Sequence, residues 1–223
     1  MKKTLEKLLI RTAKNDLFWR ILKPISTAGI ILNNSRMIHL REKNKSKLEF
    51  GYLFKSLTVL NGPFKGLKYP YLDSVGSAIY PKLIGSYESE LHQTLNSILD
   101  KEYSEIIDIG CAEGYYAIGM AMKCDNAKTY AFDINEKARK LCLEMAVLND
   151  VAEKVEINSE CTPELLRSFN FTKKGLIICD CEGFEDKLFN SENIKNLKNC
   201  DLIIELHDFI DIHISKNLKK LFS

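Results

Sequence analysis

Ile106-Ile107-Asp108-Ile109-Gly110-Cys111-Ala112-Glu113-Gly114, continuing as Tyr115-Tyr116-Ala117-Ile118-Gly119, changes its pattern abruptly. An apolar run of strand length reaches Asp108 and Ile109, two glycines permit a sharp turn, and a helical pattern starts at once. Glycine at a strand-to-helix turn allows the left-handed backbone and lets a ligand approach closely. The helix that follows offers unpaired N–H groups to an anionic ligand group. The spacing is not G-x-G-x-x-G, which argues against a nicotinamide or flavin enzyme. A purely structural turn produces the same pattern, so the weight lies in what surrounds it.

Downstream, strands and helices alternate. Residues 129–132 read as a second strand, and 135–148, with Ala138, Leu141, Cys142, Met145 and Leu148 on one face, as a helix. A strand at 154–157 follows, then a helix start at Thr162-Pro163-Glu164, with Thr as N-cap and Pro at the first helical position. The continuous apolar runs 176–179 and 202–206 are expected to be central buried strands. Upstream of the turn, 88–99 reads as a helix, 105–109 as the first strand, and 115–123 as the helix after it. The expectation is α/β: a Rossmann-like, mostly parallel sheet with helices on both faces.

The first part of the chain reads differently. Leu5, Leu8, Leu9, Ala13, Leu17, Ile21 and Leu22 recur at helical steps, so an amphipathic helix is expected over 4–22, closed by Pro24. Residues 33–49 are polar and basic and read as a connection. Asn61-Gly62-Pro63 and Lys65-Gly66 between short apolar stretches predict a hairpin or strand pair over 57–69. Three parts are therefore expected: a basic N-terminal helix and connection over 1–50, a hairpin extension over 51–81, and a cofactor-binding catalytic domain over 82–223.

The 223 residues carry a net charge of +2, but residues 1–50 hold twelve Lys or Arg against four Asp or Glu. The remainder is acidic. A basic end suits a phosphate-bearing partner or an anionic surface, although a solvated helical face is the commoner meaning. Seven scattered cysteines and no secretory leader point to a reduced, cytoplasmic chain. Cys179 and Cys181 flank Asp180 without a second Cys or His pair at zinc spacing. No apolar run reaches the 18 residues that a membrane span needs.

Asp133 ends the second strand, 25 positions after Asp108. An acid there can accept both ribose hydroxyls of a nucleoside; it can equally cap the helix that begins near Asn135. With no P-loop present, the nucleoside would be one whose other end is an amino acid.

Three further stretches accompany the turn: Lys82-Leu83-Ile84-Gly85-Ser86-Tyr87-Glu88 before the first core helix, Cys179-Asp180-Cys181-Glu182-Gly183-Phe184-Glu185 after the fourth strand, and Glu205-Leu206-His207-Asp208 after the fifth. In this order the four motifs resemble the FkbM-like branch of class I S-adenosylmethionine-dependent methyltransferases, over about residues 82–208. The resemblance implies S-adenosyl-L-methionine as cofactor. It places Tyr87, Asp108, Gly110, Cys111, Ala112, Glu113 and Gly114 around the methionine part, with Asp180 closing that end. It places Asp133 and Ile134 at the ribose and Glu160 and Cys161 beside the adenine. Methyltransferases of this class commonly finish with an antiparallel strand pair, whereas 15 residues follow Asp208, enough for one short helix.

The implied activity is methyl transfer to a hydroxyl of a small molecule or glycan. The fourth strand end lacks an Asn-Pro-Pro-Tyr-like sequence, which disfavours nucleobase amino groups. Asp180, Glu182 and His207 are the candidate catalytic residues, His207 because a neutral imidazole can take a proton from a hydroxyl at neutral pH. No metal is expected; a divalent cation held by Asp180 and Asp208 is the alternative. Nucleic acid is disfavoured as a partner, and self-association is left open. The rival function is a cofactor-binding module without catalysis, acting as a partner-binding or nucleic-acid-binding subunit.

Overall fold

The computed structural model describes residues 14–45 and 56–223. Contacts within the chain divide it into two units, Met1–Lys55 and Ser56–Ser223.

In the first unit, α1 (Asp16–Lys45) is a single 30-residue helix. Asn15 starts it, its side-chain oxygen accepting from Leu17 N at 3.1 Å and Phe18 N at 3.2 Å. Pro24 lies inside the helix rather than closing it, and the stretch expected as a connection is helical as far as Lys45. Proline removes one i→i−4 hydrogen bond, and on a helix this exposed water can take the freed carbonyl. The predicted turns before residue 14, and residues 46–49 of the expected connection, lie outside the described residues.

The second unit is built on five parallel strands, β1 (Glu105–Ile109), β2 (Lys128–Phe132), β3 (Val155–Asn158), β4 (Gly175–Cys179) and β5 (Cys200–Ile204). Their spatial order is β3-β2-β1-β4-β5. Every residue of β1 and β4 is buried, which their unbroken apolar pattern requires of strands covered on both faces. β5 departs from the expectation of a central strand. Among the described residues it pairs only with β4, and it is half-buried throughout. An apolar run reads alike whether one neighbour or two is present.

The helices are α2 (Ile79–Ile84), α3 (His92–Leu99), α4 (Tyr115–Lys123), α5 (Glu136–Leu148), α6 (Pro163–Ser168), α7 (Glu185–Leu188) and α8 (Ile214–Leu221). Ile107, Ile109, Ile177 and Cys179 of the sheet form one core with Leu166, Leu188, Ile214 and Leu218, so α6, α7 and α8 cover this face. Ile118, Met120, Cys142 and Met145 of α4 and α5 are fully buried as well. Burial of such side chains contributes roughly 1.5–3 kcal/mol each. Thr162 is the cap the sequence announces, accepting from Leu165 N at 3.2 Å, and Asn135 caps α5, accepting from Lys137 N at 3.0 Å.

Residues 57–69 form a narrow hairpin with one antiparallel bridge, Thr58 to Lys68. It belongs to the same compact unit as the sheet. Phe64 is fully buried and its ring lies where any side chain at Gly119 would stand, so α4 can take nothing larger than glycine there without displacing it.

Candidate functional site

In the strand order β3-β2-β1-β4-β5, the order in which strands are added reverses between β1 and β4, and the crevice at their carboxyl ends is where open α/β sheets bind ligands. A cavity of about 460 Å³ opens there.

The turn after β1 forms one wall. Gly110 has φ +81°, and a Cβ on it would lie 1.7 Å from the carbonyl oxygen of Asp180. Only glycine lets the ends of β1 and β4 come this close. Ala112 is also left-handed, at φ 49°, and its N–H donates to Asp133 Oδ2 at 2.8 Å. Asp133 Oδ1 accepts from Asn135 N at 2.7 Å. Two backbone donors thus fix the Asp133 carboxylate, and each oxygen keeps a second lone pair.

Asp108 is buried on the cavity wall, and its Oδ2 has no hydrogen-bond partner among the described residues. Burial pushes its carboxyl up to about 7, with a backbone hydrogen bond from Ala117 opposing the rise and Asp180 and Asp133 adding to it.

Of the residues the resemblance implies for the cofactor, Tyr87, Asp108, Gly110, Cys111, Ala112, Asp133, Ile134, Glu160, Cys161 and Asp180 line the cavity. Glu113 and Gly114 do not. Gly114 starts α4 at φ +98°, and a Cβ would meet Cys142 Sγ and Ile118 at 2.8 Å. Glu113, with no exposed surface, turns away from the cavity and gathers four donors. These are Tyr69 Oη at 3.3 Å, Ser74 Oγ at 2.8 Å, Val75 N at 3.0 Å and Lys82 Nζ at 2.5 Å. Lys82 is equally buried and lies over the rings of Tyr87 and Tyr115 at 4.8 and 5.4 Å.

This network fastens the segment 69–82 to the turn, and Val75, Gly76, Ser77 and Lys82 line the cavity. The sequence reading missed them, because it placed every cofactor residue at or beyond Tyr87. Ser74 and Ser77 sit in a loop without periodicity; the signal available was Lys82, a charge inside the otherwise apolar helix Ile79–Ile84.

The opposite wall comes from β4 and β5. Asp180 and Glu182 line the cavity, and His207 stands behind them, 3% exposed. His207 Nδ1 lies 2.7 Å from Glu185 Oε1, while Nε2 lies 3.5 Å from Asp180 Oδ1 and 3.6 Å from Glu182 Oε2. The structure therefore brings the three candidate catalytic residues together and adds Glu185, fully buried, as the partner that orients the imidazole. Burial, and then Glu205, pushes the Asp180 carboxyl up to about 6, with His207 opposing. Glu182 takes a left-handed φ of 53°, costly for a residue with a Cβ. Asp208 turns elsewhere, accepting from Ser215 N at 2.8 Å beside α8. Cys179 and Cys181, their sulfurs 3.6 Å apart, are both free, as are the other five cysteines. Among the described residues no helix is long and apolar enough to cross a membrane.

No family model matches the chain, so the FkbM-like branch stays a resemblance. The release factor glutamine methyltransferase of Fusobacterium nucleatum is 25% identical over 190 residues, which are 83% of this chain and 48% of that protein. The chain thus spans about half the length of this curated relative. Among solved structures, the O-methyltransferase TomG of Streptomyces achromogenes, in complex with S-adenosylmethionine, is 14% identical with a TM-score of 0.46, covering 64% of this chain and 69% of its own. A methyltransferase of Geobacter sulfurreducens holding S-adenosyl-L-homocysteine is 16% identical with a TM-score of 0.39, covering 52% and 47%. The fold itself is a Rossmann-like α/β sheet of five parallel strands with flanking helices, and the three proteins named above, to which the chain is similar, are methyltransferases.

Proposed function

We propose that the chain is an S-adenosylmethionine-dependent methyltransferase that transfers the methyl group to a hydroxyl oxygen of a small-molecule or glycan acceptor. The observation that carries the cofactor is the pairing, across one cavity, of a fixed carboxylate and an orphaned one. Asp133 is held by two backbone donors with lone pairs to spare for the ribose hydroxyls. Asp108 Oδ2 is a buried acceptor without a donor, which suits the amino group of the methionine part. Glycine at 110 lets the ends of β1 and β4 close up beside them. Ile134 and Glu160 at the rim and Cys161 deeper in belong beside the base and sugar.

The bound cofactor supplies an electrophilic methyl group on a positively charged sulfur. The acidic walls, with Asp108, Asp133, Asp180 and Glu182, favour that charge over a neutral ligand. Asp180, Glu182 and His207 stand where an acceptor hydroxyl would enter from the β4–β5 side, and they hold its oxygen and receive its proton. Holding nucleophile, methyl carbon and sulfur in line accounts for much of the rate in such a transfer. The acceptor oxygen is favoured over nitrogen because the segment after β4, Asp180-Cys181-Glu182-Gly183, offers carboxylates and no amide side chain. Residues 1–50 serve as an extension, whereas the catalytic part takes in the end of the stretch 51–81, because Val75, Gly76 and Ser77 line the cavity.

The test is calorimetric titration with S-adenosyl-L-homocysteine, followed by turnover of S-adenosylmethionine against fractionated hydroxylated metabolites and glycans. Tight binding with methyl incorporation into an alkali-stable ether supports the reading. Binding without turnover on any acceptor favours a cofactor-binding module, and no binding removes the cofactor.

A further inference from the structure

The groups behind Asp180 are arranged for more than proton transfer. Glu185 can only accept at the Nδ1 of His207, so Nδ1 donates and the neutral ring presents a bare lone pair at Nε2. The imidazole is almost wholly buried, and that lone pair faces Asp180 Oδ1 at 3.5 Å. Asp180 Oδ1 is itself buried and without a hydrogen-bond partner among the described residues. Two acceptors face each other across a gap that neither can bridge. Glu205, at the end of β5, brings a third: one donor atom each from Asp180, Glu205 and His207 lie within 4.8 Å of one another.

A positive charge belongs in that gap. The orienting carboxylate behind the ring is a second and separate sign, because a metal-bound histidine almost always donates its other N–H to a carboxylate or carbonyl. Glu185 holds that place with no exposed surface.

We propose that Asp180, Glu205 and His207 bind a divalent transition-metal cation, with Glu185 fixing the histidine tautomer. One imidazole nitrogen and two carboxylates suit manganese or zinc better than calcium, which takes oxygen alone. The spread of the donors matches ligands about 2.0–2.2 Å from a shared ion after small side-chain rotations. Asp208, the partner weighed from the sequence, is committed to Ser215, and Glu205 takes its place.

The consequence for chemistry rests on the methyltransferase reading. A cation beside the cavity lowers the pKa of an acceptor hydroxyl. The proton leaves to Glu182 at the rim, the oxygen forms its bond to the methyl carbon as the carbon–sulfur bond breaks, and the electron pair neutralises the sulfonium. His207 is then a ligand and not the base.

The full chain is titrated with manganese(II) while the electron paramagnetic resonance signal of the free ion is followed, and with zinc(II) by calorimetry. Saturable binding at one site per chain is expected for at least one of them, weakened about 10–100-fold in Glu205→Gln and to a similar degree in Glu185→Gln. Glu205 is exposed, so its variant retains the fold, as circular dichroism confirms. Absence of binding by both ions, or equal affinity in wild type and Glu205→Gln, overturns the site. S-adenosyl-L-homocysteine binding is measured on the same samples. Cofactor bound without metal sinks this inference alone, and metal bound without cofactor sinks the methyltransferase reading alone.

Discussion

The two walls of the cavity treat their polar groups in opposite ways. On the β1–β2 side, Asp133 has a backbone donor on each oxygen and Glu113 has four donors, so the geometry is complete before any ligand arrives. On the β4–β5 side, Asp180 Oδ1 and Glu185 Oε2 lack partners among the described residues, His207 Nε2 faces carboxylates, and Glu182 is held in a left-handed conformation. Each buried acceptor left unpaired costs about 1–3 kcal/mol. The first wall is scaffold. The second is held in an unfavourable state that a bound group would relieve, and Asp108 Oδ2 carries the same unmet demand to the foot of the first.

Gly110→Ala is the harshest test of the idea that the walls are locked together. Its Cβ would collide with backbone of the opposite wall, so S-adenosyl-L-homocysteine binding should fall below detection by calorimetry, with a lowered melting temperature. Wild-type affinity in this variant would mean that the strand ends part freely.

The next largest effect belongs to the completed wall. Glu113→Gln leaves the Lys82 ammonium buried without its counter-charge, a loss of about 3–5 kcal/mol in urea unfolding. Adding Lys82→Met should recover part of it; strict additivity would show that the pair is not coupled.

His207→Ala examines the unsatisfied wall. Turnover should drop by about a hundredfold, whether the imidazole acts as base or as metal ligand, while cofactor affinity stays near that of the wild type. Equal losses in both would merge the walls into one functional unit. The smallest effect is expected of Asp133→Ala, which should weaken cofactor binding by about 1–3 kcal/mol in calorimetry. An unchanged enthalpy and affinity would reduce Asp133 to a cap.

The turn after β1 was readable because the change from strand to helix pattern and the two glycines fall together within Ile106–Gly119. Thr162 was readable for the same local reason: a cap is written in the residue and its next three neighbours. Glu113 was not. Its position in the turn suggested the cavity, but its direction is set by left-handed Ala112 and by donors on a segment 31 to 44 residues earlier. Glu185 could be quoted but not assigned, since its partner His207 lies 22 positions away on another strand end. Pro24 misled because an exposed helix loses only one hydrogen bond to it. β5 misled because burial by one sheet neighbour leaves the same apolar signature as burial by two.

Glu113 binds its partners in evolutionary time as well as in space. Tyr69, Ser74, Lys82 and Glu113 share one dehydrated point, where any single replacement strands a charge or a hydroxyl. Relatives that keep this fold should change these four positions in concert, with 82 and 113 exchanging sign or becoming apolar together. Tyr71 and Ala78, exposed on the same segment and outside this network, are where sequences can drift independently without disturbing the cofactor cradle.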